Sequence, residues 1–570
     1  MNPLLLYAGV IAALLVATAL LMAWNNWKQK RRLRRRLRNQ WGRVCEREYS
    51  LEEISNISHY AMRKEQDASF FIDDITWNDL DMDRVFVRIN QTVSSPGEDY
   101  LYYLLRTPKT EWKSLKEQEQ LVEFFAEHEQ EREEMQLLLS EVGKGRHGSV
   151  SDAVFLLDDA PVLNRIPHIG AALLLLACFL YMLFRPVPGI FCFIILCAVN
   201  TGTYYGGKDR KIVGVYLYCF ENLLRMLSAA KKMEKISWPE VQKELGNIRE
   251  ARKVFARFKR GSFLVIGNDS SSNILYLLMD YVRMIAHVDL IKYNSMLMEV
   301  KAHQREVMML LDGMGKMDAA MSIASFRMTL PFYCQPDFTS LDVCLQADNL
   351  YHPLIADAVA NSISIERGAV VTGSNASGKS TFLKNIAVNA LLAQTVNTCT
   401  ATYYRSPMFR IYTSMALRDD LYKGESYFIV EIKSIQRILK ASQEGTPVLC
   451  IVDEVLRGTN TVERIAASSR ILKELAKPNV ICFAATHDIE LSYILEEFYD
   501  NYHFEEEIRE KDVLFNYLLQ KGRATTRNAI RLLDMLGYQD TIVTEAREAA
   551  ELFDEKGIWE KIRKENGACW

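Results

Sequence analysis

GAVVTGSNASGKSTFLKNIAVNALLAQ, residues 368–394, decides how the C-terminal part of the chain folds. Ala369-Val370-Val371 reads as a short buried strand, and the stretch from Thr381 to Gln394 has the apolar spacing of a helix. Between them Gly373, Ser374, Asn375, Ala376, Ser377, Gly378, Lys379 and Ser380 satisfy the pattern GxxxxGK[ST]. In such a loop the glycines let backbone N–H groups turn inward around phosphate oxygens, and the helix start adds partial positive charge. Lys379 supplies a point charge there and Ser380 offers a hydroxyl to Mg²⁺.

Working outward, Val448 to Glu454 (VLCIVDE) is an apolar strand ending in two carboxylates, at the edge where open α/β sheets place their ligands. Asp453 suits a Mg²⁺ site, and Glu454 suits a base or orienting group for a water that attacks a γ-phosphate. A further apolar strand, Val480 to Ala485, delivers Thr486-His487-Asp488 to the same edge, where His487 is expected to sense the γ-phosphate. From about Arg367 short β-branched runs alternate with helical stretches, the pattern of a sheet covered by helices. Upstream, residues 209–328 keep a helical pattern suited to levers or stalks, and LKEQEQLVEFFAEHEQEREEMQLLLSEV reads as one long amphipathic helix.

Leu4 to Trp24 is an uncharged run of the length that crosses a bilayer, followed by Lys28, Lys30, Arg31, Arg32, Arg34, Arg35, Arg36 and Arg38. Charge after the apolar run, not before it, marks an anchor with a cytoplasmic C-terminal side. A second apolar block, Ile169 to Tyr205, is broken at Arg185-Pro186-Val187-Pro188-Gly189 and followed by Lys208, Arg210 and Lys211, so it reads as a helical hairpin. Two spans there and one at the start put the C-terminal half in the cytoplasm of a multi-pass cell-membrane protein. The competing reading is a hairpin buried in a soluble core. Over 570 residues the formal charge is −3, which gives no global reason for a polyanionic partner. The eleven cysteines include no CxxC pair and no zinc spacing. Arg249, Arg252, Lys253, Arg257, Lys259 and Arg260, with Phe255 and Phe258 among them, form a basic patch suited to DNA phosphates, to lipid head groups, or to a solvated helix face.

TGSNASGKST, VDEVLRGTNT and ATHDIEL resemble, in order and spacing, the consecutive ATPase motifs of the MutS family of DNA mismatch repair proteins, which are ABC-class ATPases. The resemblance covers about residues 70–553. It implies ATP with Mg²⁺ as the ligands and a homodimer with composite sites, in which Ser426 of SMALRDDLYKGESYFIVEI reaches the nucleotide of the opposite subunit. It also implies a mobile asparagine at Asn375, a loop at Gly458-Thr459-Asn460-Thr461 after the catalytic glutamate, and dimer-forming helices near the C-terminus. Two departures stand out. The place of the family's Phe-x-Glu mismatch reader is taken by the apolar span and basic stretch, and the position that usually stacks an aromatic on adenine is Ala358.

The expected architecture is α+β and multidomain: an N-terminal transmembrane anchor (1–27), a cytoplasmic segment with the start of the core (28–166), a transmembrane hairpin (167–206), a helical core or lever region (207–350), and a C-terminal P-loop, ABC-type α/β ATPase domain with a helical dimerisation tail (351–570). Expected catalytic residues are Lys379, Glu454 and His487. The nucleotide contacts run from Gly373 to Thr381 together with Ser426, and Ser380 and Asp453 are the metal ligands. The expected function is ATP-driven closure of a dimer, directed at DNA; the alternative is a tethered mechanical or regulatory ATPase acting on a protein or lipid.

Overall fold

The computed structural model describes residues 3–45, 47–144, 149–256, 258, 281–340, 342–374, 377–415, 427–457, 459–509, 512–524, 529–535, 537–559 and 561–562. The chain forms two compact units that follow contacts and not chain order. One holds residues 1–71, 83–107 and 112–331, the other 72–82, 108–111 and 332–570.

The first unit is helical. A single helix, α1 (Pro3–Gln40), carries the N-terminal apolar run straight into the basic run. The helices used below are α2 (Ser95–Arg106), α3 (Trp112–Glu127), α4 (Glu129–Val142), α5 (Ile166–Phe184), α6 (Pro186–Gly206), α7 (Lys208–Met233) and α8 (Gln304–Met328). The long amphipathic helix expected from the sequence is two, because His128 leaves the helical conformation at φ −105° and ψ 85°, with its ring Nδ1 3.0 Å from the Phe124 carbonyl. α8 is the core helix, with nearly every residue from Gly313 to Arg327 buried. It meets α2 closely enough that a Cβ at Gly315 would lie 2.5 Å from the Tyr100 side chain, so only glycine fits there. Asp318 of α8 accepts the Ser94 N–H at 2.8 Å and the Val93 N–H at 3.1 Å, which ties the start of α2 to the core. Burial raises the Asp318 carboxyl to about 6.

α5 and α6 form the hairpin, with Arg185 alone between them and Pro186 opening α6, where its missing N–H costs nothing. Their 19 and 21 residues, mean hydropathy 2.1 and 1.6, make both long and apolar enough to cross a membrane. Their faces are exposed, for example Leu173, Phe184, Phe191 and Ile195. The basic patch divides: Phe255 and Phe258 are buried, so they are core residues and not stacking platforms. Arg252 pairs with Glu234 at 2.5 and 2.8 Å. Arg257, Lys259 and Arg260 lie outside the described residues.

Among its described residues the second unit has two sheets. The smaller, in the order β1 (Asp337–Phe338), β5 (Tyr403–Ser406), β2 (Leu345–Leu350) and β3 (Asn361–Ile365), flanks the larger. The larger runs β10 (Asp512–Lys521), β9 (Asp500–Arg509), β4 (Ala369–Thr372), β8 (Val480–Ala485), β7 (Val448–Asp453) and β6 (Arg410–Ser414). All its pairings are parallel except β9 with β10. β4, β7 and β8 are buried along almost their whole length, which is why they read as continuous apolar runs. Helices α9 (Lys379–Val396), α10 (Tyr427–Ala441) and α11 (Thr461–Leu475) pack on this sheet. Residues 72–82, placed by sequence in the cytoplasmic core segment, belong to this unit. Asp79 accepts the Thr413 hydroxyl at 2.6 Å and the Met415 N–H at 3.0 Å, and Lys384 pairs with Asp81 at 2.6 Å.

Candidate active site

The parallel register levels three strand ends. Val371 of β4 lies beside Ala485 of β8, and Ala485 beside Asp453 of β7. Ladder bonds continue one residue further: Thr486 N–H donates to Val371 O at 3.1 Å, and Glu454 N–H to Ala485 O at 3.0 Å. The loop after β4, the two carboxylates and His487 thus emerge side by side from rigid strands.

In that loop Gly373 has φ 141° and Gly378 φ 101°, conformations L-residues rarely adopt. A Cβ on Gly373 would come within 2.9 Å of the Phe504 carbonyl, and one on Gly378 within 3.0 Å of the Tyr517 ring. Lys379 is buried, and its Nζ donates to the carbonyls of Gly373 at 2.8 Å and Ser374 at 2.6 Å, curling the loop around its own charge. Ser377 Oγ is buried and has no hydrogen-bond partner among the described residues. Asn375 and Ala376 lie outside them, as do Ser426 and Gly458.

Asp453 and Glu454 are adjacent but differently tuned. Burial pushes the Asp453 carboxyl up, opposed by a hydrogen bond from the Ser380 hydroxyl. Glu454 is held below the usual carboxylate range, chiefly by the hydrogen bond from His487, against partial burial. His487 Nε2 lies 2.9 Å from Glu454 Oε1, and Arg457 Nε lies 2.9 Å from Oε2. Glu454 sits at φ 57°, as does Leu456. A left-handed backbone at a non-glycine residue costs roughly 1–2 kcal/mol, so this turn is held by its partners. One of these was not legible in sequence: Glu431 of α10, whose buried carboxylate accepts the Leu456 N–H. Burial raises the Glu431 carboxyl above its ordinary range. Beyond His487, Asp488 takes a two-pronged contact from Arg464 of α11 at 2.8 and 2.6 Å. Asn460 caps α11 by accepting the Val462 N–H at 2.9 Å.

A cavity of about 520 Å³ opens at this edge, lined by Ser374, Ser377 to Phe382, Glu454 and His487 on one side and by Ile355, Asp357 to Val359, Asn361 and Tyr517 on another. Ala358 is in the lining, as the sequence reading placed it, but brings no ring. Tyr517 does. It stands at φ 54° in a register shift between Phe515 and Leu519, with its carbonyl accepting the Asn361 side-chain amide at 3.0 Å. No short motif marks Tyr517, because its place depends on a bulge in the far hairpin.

Residues 369–554 match MutS domain V. Over that stretch the chain is similar to the MutS family. It is similar to the DNA mismatch repair protein MutS of Thermotoga sp. (strain RQ2), 32% identical over 269 residues, 45% of this chain and 33% of that protein. It is also similar to MutS protein homolog 4 of Mus musculus, 30% identical over 286 residues, 47% of this chain and 29% of that protein, and to the MutS of Thermus thermophilus, 32% over 201 residues, 34% and 24%. The chain therefore spans about a third or less of the length of these relatives. In this MutS-family domain the levelled strand ends, the curled glycine loop and the paired carboxylates are sited to cradle phosphate oxygens beside a fixed carboxylate.

Proposed function

We propose that this chain is a membrane-anchored MutS-type ATPase that hydrolyses ATP at composite sites in a homodimer and couples their closure to movement of its helical unit, with DNA as the partner. The observation that carries the hydrolytic part is Glu454: an ionised carboxylate, held by His487 and Arg457 on a strained turn, in the same cavity lining as the glycine loop. The residues present fit a nucleotide with its metal. Ser377 Oγ has no hydrogen-bond partner among the described residues, and Ser374, Ser377, Gly378 and the start of α9 line the cavity, where a helix start favours an anion. Lys379 supplies charge to the β- and γ-phosphates, releasing the two loop carbonyls it now holds. Ser380 and Asp453 would hold Mg²⁺, which would supply positive charge to the phosphates. Glu454 orients the attacking water and takes its proton, and His487 keeps that carboxylate ionised and aimed.

The two long apolar helices α5 and α6, together with the apolar start of α1, support three membrane spans with the second unit on the cytoplasmic side. Composite sites rest on the resemblance at Ser426. They are tested by mixing Ser426→Ala and Lys379→Met chains, since shared sites give a mixed-dimer activity that neither variant has alone. The partner is tested with detergent-solubilised protein on homoduplex, mismatched and branched DNA, with and without ATP, across a salt series. A steep salt dependence and an ATP-modulated preference for one form support the DNA reading. No binding at low salt with intact ATP hydrolysis moves the assignment to a tethered ATPase that acts on a protein or lipid. The burial of Phe255 and Phe258 favours that second reading, since it removes the aromatic part of the basic patch.

A further inference from the structure

We propose that the first unit holds a second anion site, at the C-terminal end of α1, for a small soluble molecule carrying two or more phosphates. A cavity of about 1000 Å³ opens there, and the charged side chains in its lining are Arg36, Arg43, Arg47 and Lys144, with no carboxylate among them. Behind the wall, Glu98 accepts from Lys144 at 2.7 Å and lies 3.6 Å from Arg47, which also meets Glu53 at 2.8 Å. Those two cations are thus balanced locally. Arg36 and Arg43 have no ion pair among the described residues, so the cavity keeps an uncompensated positive charge of about two, which favours a polyanion such as a diphosphate.

The walls are fixed without a ligand. Arg38 and Glu133 pair in two-pronged fashion, with Nη2 3.0 Å from Oε2, and the guanidinium of Arg132 lies 3.7 Å from the centre of the Trp41 ring. Gly42 turns the chain at φ 68°, and its N–H donates to Ser325 Oγ at 2.9 Å. The Gln91 side-chain amide donates to the Arg43 carbonyl. The backbone around the cavity is therefore ordered before a ligand arrives, which lowers the cost of binding, while the Arg36 and Arg43 side chains stand exposed to meet it. A volume near 1000 Å³ is at the upper end of small-molecule sites.

A phosphate reaching this cavity has two sources, a lipid head group or a soluble molecule, and the length of α1 favours the second. Arg36 follows Trp24, the end of the apolar run, by twelve residues of unbroken helix, about 18 Å along the axis. The polar layer of a bilayer is only about 5–8 Å thick on each side. A tilt of ~40°, the upper end of what spans adopt, still leaves roughly 14 Å. This choice of source rests on the membrane reading of α1; the anion site itself does not.

The test uses the full chain in detergent with Lys379→Met, so that the glycine loop contributes nothing and a wrong ATPase assignment leaves the result readable. Inorganic pyrophosphate is titrated calorimetrically without divalent metal. One site per chain is expected, weakened at least about tenfold by Arg36→Gln with Arg43→Gln. Arg34→Gln with Arg35→Gln, an equal loss of charge on the same helix but outside the cavity lining, should change affinity less than about twofold. Thermal melts confirm that both pairs fold. Absence of binding, or equal weakening by both pairs, overturns the site. The same titration in phosphatidylcholine nanodiscs with and without phosphatidylglycerol separates the sources. Unchanged pyrophosphate affinity supports a soluble ligand, and loss of pyrophosphate binding when the anionic lipid is present overturns it in favour of a head group.

Discussion

Replacing Glu454 by Gln leaves side-chain length and the left-handed backbone as they are, but turns one carboxylate oxygen into an N–H₂ donor. That donor then faces either His487 Nε2 or Arg457 Nε, each 2.9 Å away. One charge-assisted hydrogen bond is lost. Its usual worth of about 1.5–3 kcal/mol shrinks toward ~1 kcal/mol because Arg457 is 60% and His487 36% exposed. The fold and the glycine loop survive such a loss. Removing a positioned base, by contrast, slows a proton-transfer step roughly 10²–10⁴-fold, about 3–5 kcal/mol in the barrier. The expected signature is ATP binding within about threefold of the parent and phosphate release at saturating ATP down at least about a hundredfold. Equilibrium binding of a fluorescent ATP analogue and a coupled phosphate assay read the two quantities separately. Turnover within about fivefold of the parent would remove Glu454 from the reaction; lost binding with lost turnover would make it a structural prop.

Glu431→Ala should lower turnover roughly tenfold with nucleotide binding kept, because the Leu456 N–H loses the carboxylate that holds the strained turn; equal turnover at equal stability speaks against that role. Gly378→Ala should destabilise the second unit by about 1–2 kcal/mol, since the backbone at φ 101° and the Tyr517 ring at 3.0 Å both oppose a Cβ, and an unchanged melting temperature would contradict it. In the first unit burial raises the Asp99 carboxyl, which accepts the Ser149 and Ser151 hydroxyls, to about 7, and Asp318 to about 6. Both folded-state values lie above the unfolded ones, so their stabilising contribution is complete below about pH 4 and is lost as pH rises through 6–7. For Asp99 the rise from 3.8 to about 7 corresponds to roughly 4 kcal/mol at most. Urea midpoints should fall between pH 4 and 8, and Asp99→Asn should flatten that slope; a steeper slope in the variant refutes the attribution.

What was legible in the sequence was local. The strand-loop-helix around Lys379 and the carboxylates after VLCIV lie within short stretches, and buried parallel strands announce themselves as apolar runs. Glu431 was not legible, because a single glutamate on an amphipathic helix gains meaning only from the turn it meets more than twenty residues later. Tyr517 depends on a register shift, and periodicity carries no trace of a bulge. Residues 72–82 were assigned by chain order, whereas their partners are on β6 and α9, over three hundred residues away. At the basic patch around Arg252 the sequence left DNA, lipid head groups and a solvated helix face open, and burial shows only that its two phenylalanines, Phe255 and Phe258, are packing.

The levelling of β4, β7 and β8 also dictates when the site comes into being during synthesis. β4 pairs with β8 and β9, so Ala369 finds Phe483 and Asp500 only after more than a hundred further residues have left the ribosome. At about 5–20 residues per second that is a wait of several seconds at least, with a short apolar strand and its glycine loop lacking both neighbours. Pairings so distant in sequence close slowly. A nascent chain arrested before β8 should therefore have its lysine and serine in hand yet no nucleotide site, and its Ala369–Thr372 segment is where a chaperone or a misfolding partner would find it first.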